Sequence, residues 1–172
     1  MSLWLERPGL HHEAAWLDIV GEIRAAEEPI VPYSLTLDLD SYLDFWHKTE
    51  QYSNGDNLGD KVRADTFFLM GDQKPGRILG AINLRYGLNE YLRLYGGHIG
   101  YGIRPSERGK GYATAMLGLG LKECRRSGMK KVLLTCETWN RASARVMEHQ
   151  GAVLENVVNL GEKRFARYWI EL

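Results

Sequence analysis

Cysteine is scarce in this chain: two residues in 172, Cys124 and Cys136, at no spacing that suits a metal. That rules against a disulfide scaffold and a structural zinc, and free thiols fit a reducing, cytoplasmic setting. The five histidines are scattered, so no metal site is expected. Apolar runs extend only a few residues, far short of the roughly 20 needed to cross a bilayer. The start, Met1-Ser2-Leu3-Trp4-Leu5-Glu6, lacks the charged and apolar regions of a signal peptide. Internal repeats and low-complexity segments are missing, and net charge is zero, with 22 Lys plus Arg against 22 Asp plus Glu. One soluble globular domain over residues 1–172 is the expectation, because about 150 residues make a domain and such a chain buries roughly 70% of its unfolded surface.

The zero charge conceals a division. Residues 1–60 carry 3 basic and 12 acidic side chains, a net of −9, and the remainder carries 19 and 10, a net of +9. Such a split can set an anionic and a cationic ligand on different parts of one surface, although solvated faces produce it more often. Glycine is uneven too: nine of 19 fall between Gly96 and Gly128, where the backbone must approach something closely or adopt unusual dihedrals.

Helical spacing of Trp16, Ile19, Val20 and Ile23 predicts a helix over residues 12–27, and Leu39, Leu43 and Trp46 predict another over about 40–50, capped by Asp40 or Ser41. Residues 66–70 and 78–84 read as antiparallel strands joined by a turn containing Pro75-Gly76. Residues 98–103 alternate like a strand. From Ala113 an apolar stripe, Met116, Leu117, Gly120, Leu121 and Cys124, predicts a helix closed by Gly128. Residues 131–136 read as a buried strand, so strand–helix–strand implies a parallel crossover. A helix led by Asn140 and ended by Gly151 follows, then strands at 152–160 and 165–170.

Between the alternating strand and the striped helix lies Arg104-Pro105-Ser106-Glu107-Arg108-Gly109-Lys110-Gly111-Tyr112-Ala113. A glycine-bearing turn that opens a helix presents free N–H groups to an anion, and Arg108 and Lys110 add positive charge; the bland reading is a tight turn whose glycines only satisfy geometry. A nucleoside-triphosphate loop would need Gly-Lys-Ser or Gly-Lys-Thr, whereas Gly109-Lys110-Gly111 leads to Tyr112. A dinucleotide fingerprint lacks its third glycine, with Thr114 near that place, and its acidic residue. The spacing therefore argues against a nucleotide-binding domain that uses the same loop.

The run Ile103-x-Pro105-x-x-Arg108-Gly109-x-Gly111-x-Ala113 resembles the acetyl-coenzyme A (acetyl-CoA) loop of the GNAT superfamily of N-acetyltransferases, and Asn140-x-x-Ser143-x-x-x-Met147-Glu148-x-x-Gly151-Ala152 is similar to the helix that follows in that family. The likeness covers residues 98–154 and includes a Gly-Gly-His-Ile-Gly-Tyr strand at Gly96–Tyr101. The fold it implies is α/β (α+β): a mixed, mostly antiparallel sheet of six or seven strands, helices on both faces and a splayed central parallel pair. It further implies that the backbone of Tyr101 and Ile103 pairs with the pantetheine arm, that the amides of Arg108, Gly109, Lys110, Gly111, Tyr112 and Ala113 cradle the pyrophosphate, and that Asn140 and Ser143 touch the arm from the other side. Gly100 and Gly102 would leave room for it.

The implied reaction moves an acetyl group from acetyl-CoA to a primary amine of a small molecule or peptide by direct attack, with no metal. Many relatives place an acidic tyrosine where this chain has Met147, which cannot donate a proton. Tyr101, Tyr112 and Tyr168 are substitutes by type, and the missing tyrosine keeps a non-catalytic acyl-CoA sensor as the alternative. His98 and Glu137, at the start of one central strand and the end of the other, are the candidate catalytic bases. Cys136 is the one covalent candidate by type and lacks a His-Asp partner pattern. The acidic first 60 residues, with Asp38, Asp40, Asp44, Glu50 and Asp56, favour a cationic acceptor, a solvated helix face being the alternative, and Tyr42, Phe45, Trp46 and Tyr52 are aromatic enough to wall its pocket, although at helical spacing such a set is more often core. No nucleic-acid or membrane partner is expected, and the final strand at 164–170 is available to pair across a homodimer.

Overall fold

The computed structural model describes residues 1–172. Seven strands and four helices form: β1 (Leu3–Glu6), α1 (Glu13–Ala25), α2 (Tyr42–Asn54), β2 (Ala64–Gly71), β3 (Gly80–Arg85), β4 (Ile99–Ile103), α3 (Tyr112–Arg126), β5 (Lys131–Glu137), α4 (Arg141–His149), β6 (Val153–Leu160) and β7 (Lys163–Glu171). They make two antiparallel sheets, ordered β1-β2-β3-β4 and β5-β7-β6. β1 is the element the sequence reading missed. Only four residues long, with Trp4 turned outward, it alternates too briefly to stand out from coil.

Two cores flank the first sheet. Phe68, Met70 and Ala81 face α1 and α2, meeting Trp16, Ile19, Phe45 and Leu35. Their strand neighbours Phe67, Leu69, Ile82 and Leu84 point the opposite way, against Met116, Leu117 and Leu121 of α3, in a core that continues through β5 and β7 to Met147 of α4. Period-two alternation on strands covered from both sides thus places helices on both faces. Local signals set the ends. Ser41 Oγ accepts the Asp44 N–H at 3.2 Å to cap α2, and Asn140 Oδ1 accepts the Ser143 N–H at 3.1 Å to cap α4.

The sheets meet where β4 and β5 touch. His98 N–H donates to Leu133 O at 2.7 Å and Leu133 N–H donates to His98 Nδ1 at 2.8 Å; beyond that contact no ladder joins the two strands, and a gap opens between them. One expectation is corrected: β7 is not available at an edge. It lies between β5 and β6, with both sides paired, and β6 is the edge strand. The longer apolar strand takes the centre because Ala166, Tyr168 and Ile170 enter the core, whereas nearly all of β6 is exposed.

Candidate active site

The turn into α3 joins left-handed glycines to a helix N-terminus. Gly109 (φ +74°) and Gly111 (φ +80°) adopt left-handed backbone, which costs other residues roughly 1–2 kcal/mol, and a Cβ on either would point into open space. The N–H groups of residues 109–114 donate to nothing in the chain. Six free donors at the positive end of a 15-residue helix make a seat for an anion of the phosphate type.

The flanking cations are already engaged. Arg108 binds both carboxylate oxygens of Glu28, at 2.9 and 2.6 Å, and its Nε donates to Ile103 O at 3.1 Å. Lys110 donates to Glu107, only 1% exposed, which also pairs with Lys74. Upstream, fully buried Arg104 pairs with Asp18 and Glu22 of α1, and Glu22 accepts the Ser106 N–H at 2.7 Å. Acidic residues of the first segment thus clamp the turn in place. This is where part of the charge division goes: into ion pairs between the halves.

The edge of β4 continues the row of donors. His98 O accepts the Arg85 N–H of β3 and Arg104 N–H donates to Leu79 O just before it, so alternation along an antiparallel ladder turns the main-chain groups of Ile99, Tyr101 and Ile103 away from β3 and toward the gap. Apart from the Ile103 carbonyl held by Arg108, the groups of Tyr101 and Ile103 have no partner in the chain. Gly100 and Gly102 serve something else. A Cβ on Gly102 would strike the Val31 carbonyl, and one on Gly100 would come within 2.9 Å of Arg85 Nη2 and 3.5 Å of Pro32. Their missing side chains admit the segment after α1 and the Arg85 guanidinium, not a ligand arm in the gap.

Two cavities lie at opposite ends of this arrangement. A shallow one of about 600 Å³ begins at Gly111 and follows α3 past Thr114 and Lys122 to Gln150. The other, about 440 Å³, sits on the α1–α2 side at the β3 end that meets the start of β4, walled by Tyr33, Tyr52, Lys61, Asn83, Arg85 and Tyr91 among others. Of the predicted aromatic wall only Tyr52 contributes; Tyr42 and Phe45 are core, with Trp46 packed against them. Asp38, Asp40, Asp44, Glu50 and Asp56 contribute nothing to this cavity.

The predicted catalytic pair is not brought together, and neither member lines either cavity. His98 is buried and its Nδ1 accepts a backbone N–H, which leaves the ring proton on Nε2; desolvation, with Arg85 adding to it, lowers its pKa to about 4. Glu137 accepts from Trp139 Nε1 at 2.7 Å and Lys163 Nζ at 3.0 Å, both holding its carboxyl below the ordinary range. Asn140 caps α4 through the Ser143 N–H, and Ser143 Oγ lies 2.9 Å from the Tyr101 hydroxyl; burial pushes Tyr101 up to about 12, so it keeps its proton. Tyr168 donates to Glu148 at 3.3 Å and Tyr112 points at Met1 Sδ. Met147 is wholly buried. Burial also raises the Cys136 thiol to about 11, which suppresses its thiolate. The histidines are less scattered than their sequence positions suggest: His11 and His12 both approach Glu6 Oε1, at 3.2 and 3.4 Å, with His12 Nδ1 accepting the Gly9 N–H.

A search of curated protein sequences finds no match. Among solved structures the chain is similar to a ribosomal L7/L12 alpha-N-protein acetyltransferase in complex with coenzyme A (16% identity, 100% of this chain and 95% of that one, TM-score 0.73). It is also similar to the microcin C7 self-immunity acetyltransferase in complex with acetyl-CoA and AMP (21% identity, 99% and 92%, TM-score 0.67) and to a spermidine N-acetyltransferase chimera from Vibrio cholerae (17%, 99% and 96%, 0.65). At these identities the likeness establishes the fold. A family model described as an acetyltransferase (GNAT) domain matches residues 3–153, a span that holds the amide-lined turn, the β4–β5 gap and the Asn140-capped helix. The chain therefore belongs to the GNAT acetyltransferase family, an acyltransferase family.

Proposed function

We propose that this protein transfers the acetyl group of acetyl-CoA to a primary amine of a small molecule or peptide by direct attack, with the donor lying along the β4–β5 gap. The observation that carries this reading is the set of unpaired main-chain groups: the amides of residues 109–114, then Ile103 N–H, then Tyr101 N–H and C=O. A pyrophosphate needs clustered donors and an amide-bearing arm needs a strand edge, and the set offers them in that order. The coenzyme supplies an activated thioester. With its phosphates at the α3 end, the acyl group reaches the start of β4, beside Gly100 and the cavity on the α1–α2 side.

In this arrangement Tyr101, supported by Ser143, stands closest by type to the task that Met147 cannot perform, protonation of the departing thiolate. Cys136, protonated and buried, takes no covalent part. His98 and Glu137 are assigned lesser roles than expected from sequence: His98 seals the closed end of the gap, and Glu137 is held in surface bonds. The amine reaches the thioester as the neutral nucleophile, its proton leaving to solvent.

Calorimetric titration with coenzyme A and thiol release from acetyl-CoA over polyamines, aminoglycosides, amino acids and peptides test the proposal. Binding together with turnover of any amine is the expected result. Binding without turnover across the panel would overturn the transfer reaction, and absence of binding would overturn the placement of the donor.

A further inference from the structure

The cavity on the α1–α2 side has the opposite charge from the one its acidic sequence neighbourhood suggests. Its charged lining consists of Lys61 and Arg85, with no carboxylate. Arg85 is half-buried and forms no ion pair; its Nη1 donates to the carbonyls of Gly96 and Gly97 at 2.9 and 3.0 Å, and Nη2 and Nε donate to nothing in the chain. Desolvation lowers its pKa, the mark of a cation kept in a poorly hydrated place without a counter-ion. Lys61 also lacks an ion pair and rests over the Tyr52 ring, 5.8 Å from its centroid. A further polar group is orphaned here: Ser34 Oγ, in the cavity wall on a residue 6% exposed, has no hydrogen-bond partner. The acidic residues that set the charge of the first segment are spent elsewhere, Asp18, Glu22 and Glu28 on Arg104 and Arg108, and Asp38 on Lys48.

From these residues we infer that the acceptor amine carries an oxyanion, a carboxylate or a phosphoryl group, recognised by Arg85 and Lys61. The inference rests on the acetyltransferase reading above, since it takes this cavity for the acceptor's. An uncompensated guanidinium with the N–H groups of Nη2 and Nε open matches a planar or tetrahedral oxyanion in charge and in hydrogen-bond geometry, and a hydroxyl donor adds to it. Gly100, whose missing Cβ admits Arg85 Nη2, brings that recognition next to the strand edge where the thioester ends. A polyamine in the same place would meet two positive charges and no negative one. The expectation of a cationic acceptor, drawn from sequence charge alone, is thereby replaced.

The test uses the whole protein saturated with coenzyme A and three product-like probes: N-acetylglycine, N-acetylphosphoethanolamine and N-acetylspermidine. Calorimetry is expected to show at least one anionic probe binding about tenfold tighter than the polyamine probe, a difference of about 1.4 kcal/mol. The ranking of the two anions separates carboxylate from phosphoryl. Lys61→Glu, at an exposed position, is expected to erase or invert the preference; Arg85→Gln is expected to abolish anion binding, and Arg85→Lys to restore part of it. Tighter binding of the polyamine, no binding of either anion at millimolar concentration, or an unchanged preference in Lys61→Glu overturns the inference and leaves the acetyltransferase reading standing. Failure of coenzyme A to bind in the first titration overturns that reading instead.

Discussion

Glycines with different tasks look alike in the sequence, and substitution separates them. Gly111 has open space beyond its Cα and a left-handed backbone, so Gly111→Val leaves the core intact, lowers stability by about 1–2 kcal/mol through strain, and puts a side chain over the free amides. Calorimetry is expected to show coenzyme A affinity reduced at least about tenfold, with the fold retained by circular dichroism. Gly102→Ala acts on packing: its new methyl meets the Val31 carbonyl, and a denaturant midpoint lower by the equivalent of about 1–3 kcal/mol is expected. Tyr101→Phe removes one hydroxyl with little loss of stability, about 1 kcal/mol, yet kcat is expected to fall by about a hundredfold with coenzyme A affinity unchanged. An unaltered kcat would withdraw Tyr101 as the proton donor. Residue types were readable for all three positions. The difference between room for a ligand and room for residues 31–32 depends on a contact some 70 positions away in the chain, which no local pattern encodes.

Among elements, the segment from Arg104 to α3 is held by α1 more than by its own sequence. Glu22 receives Arg104, Arg77 and the Ser106 N–H, so Glu22→Gln leaves the wholly buried Arg104 with Asp18 as its remaining carboxylate. Breaking a buried pair costs about 3 kcal/mol, and the same substitution is expected to weaken coenzyme A binding by loosening the turn; urea unfolding and calorimetry measure the two effects. The motif that made the turn recognisable, with its glycines and its helix start, was legible from spacing. The clamp was not, because Asp18 and Glu22 read as ordinary charges on the solvent face of an amphipathic helix. The same limit explains β7. A strand's apolar content shows that it is buried, and which neighbours it takes is decided by long-range pairing.

Over the whole molecule, the titrations of buried His98 and half-buried Glu22 act in the same direction. His98 has a folded pKa of about 4, depressed from the ordinary value of 6.5, so the stability its neutral form contributes is complete above pH 6.5 and is lost as pH falls through 4. Glu22 is brought to about 2, from 4.5, by Arg104 and Ser106 acting against desolvation; its contribution is present above 4.5 and disappears as pH falls toward 2. Chemical denaturation is thus expected to show stability declining in two stages, the first beginning as pH falls below 6.5, and His98→Asn should shrink that first stage, leaving the share of buried His12, which desolvation also lowers. A decline confined to below pH 4 in the unmodified protein would refute the burial of a neutral His98.

By itself the sequence determined the periodic helices, their caps, the glycine turn with its open amides and, through that turn and the Asn140 helix, the family. Those features rest on residues within a few positions of one another, where spacing and backbone preference act directly. The tertiary structure decided what the charges do. Acidic residues gathered in the first 60 positions read as a field for a cationic partner, and folding instead pairs them with Arg104, Arg108 and Lys48 while leaving Arg85 and Lys61 alone in the cavity. A charge in a sequence has a sign and no partner; desolvation and proximity, which exist only once the chain is folded, determine whether it clamps a loop or awaits a ligand.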